Sequence, residues 1–130
     1  MSNLLNFQQN IPPYKAGTKS MSLTIDGKII ATDKEGYIKS LEEWSEKVAE
    51  MIAIEEKIKL TSSHWEVVLL LRQFYQEFEL SPTMRSLVKY IANNLGKDKG
   101  NSIYLLKLFP PNPAKIASKI AGLPRPKNCL

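Results

Sequence analysis

From residue 63 onward the chain carries helix-start and helix-stop signals so closely spaced that only a bundle of short helices can satisfy them. Ser63 with Glu66 has the form of a capping box in front of HWEVVLLLRQFYQEFE, a run so rich in Leu, Val and Phe that it is expected to be the central, most buried element. Ser81-Pro82 is expected to end that helix and open the next, TMRSLVKYIANNL, because a proline at the first helical position gives up only an N–H that the helix leaves unpaired. Gly96 stops it. After the polar loop KDKG, Asn101 or Ser102 caps a short helix, IYLLKLF, which Pro110-Pro111 ends. Asn112-Pro113 then starts AKIASKIA, with Gly122 as the residue that closes it in a left-handed conformation.

Upstream, SLTIDGKIIAT places two short β-branched runs around Asp26-Gly27, a dipeptide suited to the positive φ angles of a two-residue type I′ turn, and predicts a hairpin over residues 22 to 32. Ser40 and Glu43 resemble a second capping box, ahead of Leu41, Trp44, Val48 and Ile52 at helical spacing, so a helix is expected from there to about Glu56. Residues 1–20 are polar, proline-bearing and aperiodic, an extension outside the fold. The expected architecture is mainly α: a small bundle of about five helices with an N-terminal β-hairpin over 21–122, and a flexible C-terminal arm over 123–130.

A chain of 130 residues, 43% hydrophobic, supports one domain with a single core. No run approaches 18 consecutive apolar residues and the start has no basic segment leading into an apolar one, so neither a membrane span nor a signal peptide is expected. A single cysteine rules out an internal disulfide and suits a reducing compartment, which points to the cytoplasm. Charge is unevenly placed: up to Glu79 there are nine basic and twelve acidic residues, and beyond it nine basic residues and only Asp98. Such a half can face a polyanion, an acidic partner or solvent.

Most catalytic chemistry lacks support in the residues. His64 is the only histidine, in the first turn of an apolar helix, where a capping or structural role outweighs a catalytic one. One histidine and one distant cysteine make no metal-ligand pattern, and no glycine-rich nucleotide motif occurs, so neither metal nor cofactor is expected. Arg85, Lys89, Lys97, Lys99 and Lys107 on two successive helices have the outline of a helix-turn-helix, but the turn of about six residues is long for that motif. Its second helix is also too apolar to read bases. Nucleic-acid binding stays a secondary reading.

The chain ends LPRPKNCL, with its one cysteine, Cys129, next to the terminal residue. Pro124 and Pro126 disfavour helix and sheet and stretch the segment, while Gly122 supplies a hinge; at about 3.1 Å per residue, Leu123 to Leu130 spans roughly 25 Å. A thiol on such an arm can visit other proteins' clefts, as thiol-disulfide exchange and the handing over of sulfur as a persulfide both require. Arg125 and Lys127 favour the thiolate and the Leu130 carboxylate opposes them. A redox adaptor and an anion-binding regulator fit the same residues.

DGK, DKEGYIKSLEEW, LTSSHWEVV, LLRQFY, SPTMRSLVKYI, GNSIYLLKLFP and above all AGLPRPKNCL resemble the DsrC/TusE sulfur-relay family, in order and over residues 22 to 130. The resemblance implies a helical fold with a hairpin and a flexible arm whose penultimate cysteine, here Cys129, carries sulfur as a persulfide. In the two-cysteine branch a second cysteine lies in the last helix, eleven residues earlier, where this chain has Ser118. That departure resembles the single-cysteine TusE branch, and implies a sulfurtransferase with a TusBCD-type complex as donor and the tRNA 2-thiouridylase MnmA as acceptor. A DsrC-like partner of sulfite reductase, or a sulfur-responsive nucleic-acid-binding regulator, is the alternative. Whether Arg85, Lys89 or Arg125 assists sulfur transfer is left open by the resemblance.

Overall fold

The computed structural model describes residues 21–127. Residues 1–20, expected as an extension, lie outside them, as do Asn128, Cys129 and Leu130. Strands β1 (Ser22–Ile25) and β2 (Lys28–Ala31) pair antiparallel, Leu23 opposite Ile30, with both of those side chains buried. Asp26 and Gly27 have φ of 51° and 81°, as the type I′ turn demands. A 3₁₀ turn (Leu41–Glu43) and five helices follow: α1 (Glu46–Glu55), α2 (Ser62–Phe78), α3 (Met84–Leu95), α4 (Ser102–Leu108) and α5 (Pro113–Ile120). The expected mainly-α bundle with an N-terminal hairpin is therefore present.

Three helix starts differ from expectation, each by a choice among neighbouring hydroxyl residues. Ser40 donates to Glu42 instead of capping a helix, the chain runs extended at Trp44, and Ser45 caps α1 by accepting from the Val48 N–H. Thr61, not Ser63, caps α2, with His64 three residues on: its Nδ1 accepts the Thr61 backbone N–H at 3.0 Å. Thr83, not Ser81, caps α3 by accepting from Ser86. Asn101 and Asn112 cap α4 and α5 as read, with Pro113 opening α5.

The centre of the bundle is α5, a correction to the expectation that α2 would be the most buried element. α5 packs against each of the other four helices. Seven of its eight residues are buried, against five of seventeen in α2, which leaves Leu69 exposed. Size explains the reversal. Ala114, Ala117 and Ser118 let four neighbours approach one short helix closely, whereas the longer α2 has more apolar surface than the bundle can cover. Lys119 on α5 is buried as well, and its ammonium meets the Glu56 carboxylate at the end of α1 at 2.7 Å. No helix of the described residues is long and apolar enough to cross a membrane.

Candidate functional site

The last turn of α5 sets the course of the chain that follows it. The last carbonyls of a helix lack intrahelical partners, and a buried helix end must find others. Gly122 takes φ of 76°, so that its N–H bonds the Lys119 carbonyl at 3.1 Å while the Leu123 N–H bonds that of Ser118 at 2.9 Å. This is the Schellman arrangement, and Leu123 is buried at 1% exposure as its apolar contact. The two carbonyls that remain are taken from outside: the Trp44 indole N–H donates to Ile120 at 2.8 Å and the Arg72 guanidinium to Ala121 at 2.7 Å.

Trp44 and Arg72 also stack, the guanidinium carbon lying 3.9 Å from the ring centroid. Burial pulls the Arg72 pKa below its ordinary value, yet a guanidinium stays charged, and a cation suits the negative end of α5. A β-carbon at Gly122 would come within 2.4 Å of Trp44 Cδ1, so glycine is required both by backbone conformation and by space.

The chain does not leave the body at Gly122. The Ser81 hydroxyl donates to the Pro124 carbonyl, Arg125 pairs with Glu35 of the loop after the hairpin, and Pro126 is buried. Of the expected arm, residues 123–126 are thus held against the body, with contacts to the α2–α3 turn and the loop after the hairpin. Cys129, two positions further, lies outside the described residues.

The other residues singled out in the sequence are scattered. His64 is a buried cap and strut: Nδ1 accepts from Thr61 and Nε2 donates to the Leu108 carbonyl at 2.9 Å, which is the structural role expected for it. Arg85, Lys89 and Lys97 are exposed on or just beyond α3, and Lys107 on α4. Lys99 is tied to Glu66, whose hydrogen bond raises its pKa. α4 exposes Ile103 and Leu106 where a base-reading helix would carry polar groups. Among the described residues no cluster of three His, Cys, Asp or Glu is placed to hold a metal.

Two positioning residues escape a reading of the sequence. Trp44 falls between the 3₁₀ turn and the Ser45 cap of α1, and Arg72 is the one base inside the apolar run LLLRQF; a charge in such a run is the signal that finds it.

The chain belongs to the DsrC-like family: residues 24–130 match the family described as DsrC like protein. Sulfurtransferase TusE of Salmonella typhimurium is 55% identical over 108 residues, covering 83% of this chain and 99% of that protein, and Sulfurtransferase TusE of Escherichia coli matches to the same extent. Among solved structures, DsrC of Allochromatium vinosum superimposes with a TM-score of 0.78 at 42% identity, over 86% of this chain and all of that one. The oxidised γ-subunit of dissimilatory sulfite reductase from Archaeoglobus fulgidus gives 0.73 at 37%, over 84% and 99%. The chain is a sulfurtransferase of this family.

Proposed function

We propose that the protein is a sulfur carrier in which Cys129 accepts sulfane sulfur from a TusBCD-type donor and passes it to an MnmA-type thiouridylase for 2-thiolation of the wobble uridine of tRNA, in the cytoplasm. The Cys129 thiolate attacks the terminal sulfur of a donor persulfide; the donor's S–S bond breaks and its thiolate leaves, and a new S–S bond forms on Cys129. The acceptor's thiolate takes the same sulfur in the second step and Cys129 returns to a thiolate. No net oxidation occurs, so no cofactor is needed. The observation that carries the reading is the clamped end of the last helix, held by Trp44, Arg72 and Gly122 seven residues before the chain's one cysteine.

Ser118 favours this over the two-cysteine chemistry of a sulfite reductase partner. With serine at that position, a persulfide on Cys129 has no second thiol of its own chain to attack it. The test is intact mass after incubation with a cysteine desulfurase, the donor complex and cysteine. The wild type gains one sulfur, lost on reduction, and Cys129→Ser gains none. An adduct that persists in Cys129→Ser contradicts the proposal.

A further inference from the structure

Anchoring the arm through Pro126 shortens its reach and thereby locates the surface that a partner must touch. Two residues beyond Lys127, the Cys129 α-carbon lies at most about 7 Å from that of Lys127. A span of roughly 25 Å into a distant cleft would need all eight residues free. The partner's reactive sulfur therefore has to come down to the body beside Lys127.

A cleft of about 410 Å³ lies there, lined by Tyr75, Leu80, Ser81, Thr83, Pro124 and Lys127. Leu80 is also a wall of the neighbouring depression, formed by Phe74, Phe78 and Tyr90 with Lys89 at its edge. Phe78 and Leu80 are 49% and 55% exposed, two large apolar side chains at the end of α2; one side of Phe78 lies against Phe74 and Tyr90, and about half of each side chain is left open by the described chain. Lys89 and Lys127 are exposed, and no ion pair engages them among the described residues. Two acids also stand on this face: Glu79 lines the cleft, and Glu77 accepts a hydrogen bond from the Tyr90 hydroxyl.

We propose that this surface, from Phe78 across Leu80 to Lys127, docks the persulfide-bearing donor protein, which presents an apolar side chain to Phe78 and Leu80 and carboxylates to Lys89 and Lys127. The proposal rests on the reading of Cys129 as carrier. Its support is the continuity of a half-exposed apolar surface with the root of the arm, together with cations at both of its ends that no ion pair engages among the described residues. A protein fits better than RNA, because the apolar walls call for an apolar anchor, and a protein can set carboxylates at Lys89 and Lys127 while keeping them away from Glu77 and Glu79, which a continuous phosphate backbone does not.

The test uses the full chain and two sulfur sources, glutathione persulfide and the persulfidated TusBCD-type complex, with uptake on Cys129 followed by intact mass. For the double variant Phe78→Ser/Leu80→Ser, uptake from glutathione persulfide stays at the wild-type rate, while the half-saturating concentration of the protein donor rises tenfold or more. Lys89→Glu raises it severalfold, and added salt narrows that difference. Saturation of both variants at wild-type donor concentrations overturns the docking site and leaves the carrier reading standing. A wild type that takes sulfur from neither source overturns the carrier reading and the docking site with it. If Lys89→Glu weakens binding of a fluorescent tRNA while donor saturation is unchanged in all variants, the surface is an RNA site and the proposal is wrong.

Discussion

The C-terminal ends of α2 and α5 both pass through a left-handed residue and are finished in different ways. Both helices close on a left-handed residue, Glu79 with φ of 58° and Gly122 with φ of 76°. At α5 the next residue, Leu123, is 1% exposed, and Trp44 and Arg72 take the carbonyls that the turn leaves over. At α2 the next residue, Leu80, is 55% exposed between two clefts. One end is built to hold still and the other is left uncovered beside it. With the chain held at one end and an apolar patch open at the other, the proposed docking separates chain anchoring from partner contact, so mutations at the two ends are expected to fail differently.

The largest effect is expected at the closed end. Gly122→Val combines a left-handed β-branched residue with a collision against Trp44, and is expected to destabilise by about 3 kcal/mol or more. That lowers the melting temperature by roughly 10 °C for a chain of this size, measurable by calorimetry. Glu79→Gly, at the corresponding turn of α2, removes an unfavourable φ and should stay within about 1 kcal/mol of the parent. Equal losses at the two positions would erase the distinction between the ends.

Next comes the clamp itself. Arg72→Met keeps the length of the side chain but leaves the Ala121 carbonyl without its donor and removes the stack on Trp44, at an expected cost of about 2 kcal/mol. A chemical denaturation midpoint measures it. Truncation sharpens the comparison further. A chain ending at Gly122 loses buried Leu123 and about 2 kcal/mol, whereas one ending at Lys127 loses under about 0.5 kcal/mol. Both lack Cys129 and should carry no sulfur.

The smallest effect is expected inside α5. The Ser118 hydroxyl is fully buried with no hydrogen-bond partner among the described residues, so Ser118→Ala should be neutral or stabilise by up to about 1 kcal/mol. A lower melting temperature for Ser118→Ala would mean that the hydroxyl has a partner after all.

What was legible in the sequence is what neighbours in the chain decide. Asp26-Gly27 specified its turn, Asn112-Pro113 its helix start and Gly122 its stop, because each acts on backbone within a few residues. Where several hydroxyl residues stood close together, at Ser40 and Ser45, Thr61 and Ser63, or Ser81 and Thr83, local pattern could not choose among them. Packing did: Trp44 had to leave the helix to reach Ile120, and Ser81 was taken by the Pro124 carbonyl. The clamp was illegible for the same reason, since its two hydrogen bonds join residues 76 and 49 positions apart. The family motifs AGLPRPKNCL and LLRQFY contain Gly122 and Arg72, but only the fold shows that they meet at one helix end.

The chain is anchored through Pro126, and Cys129 follows three positions later in the sequence. Cys129 is the one cysteine, so a nitroxide spin label attached to it needs no other substitution. Paramagnetic broadening of the backbone amide signals then maps where the label goes. The expected result is broadening concentrated on residues beside the root of the arm, among them Leu80, Ser81, Thr83, Lys39 and Ser40. Broadening spread evenly over the surface of the bundle would contradict the anchor and restore an arm free from Gly122 onward.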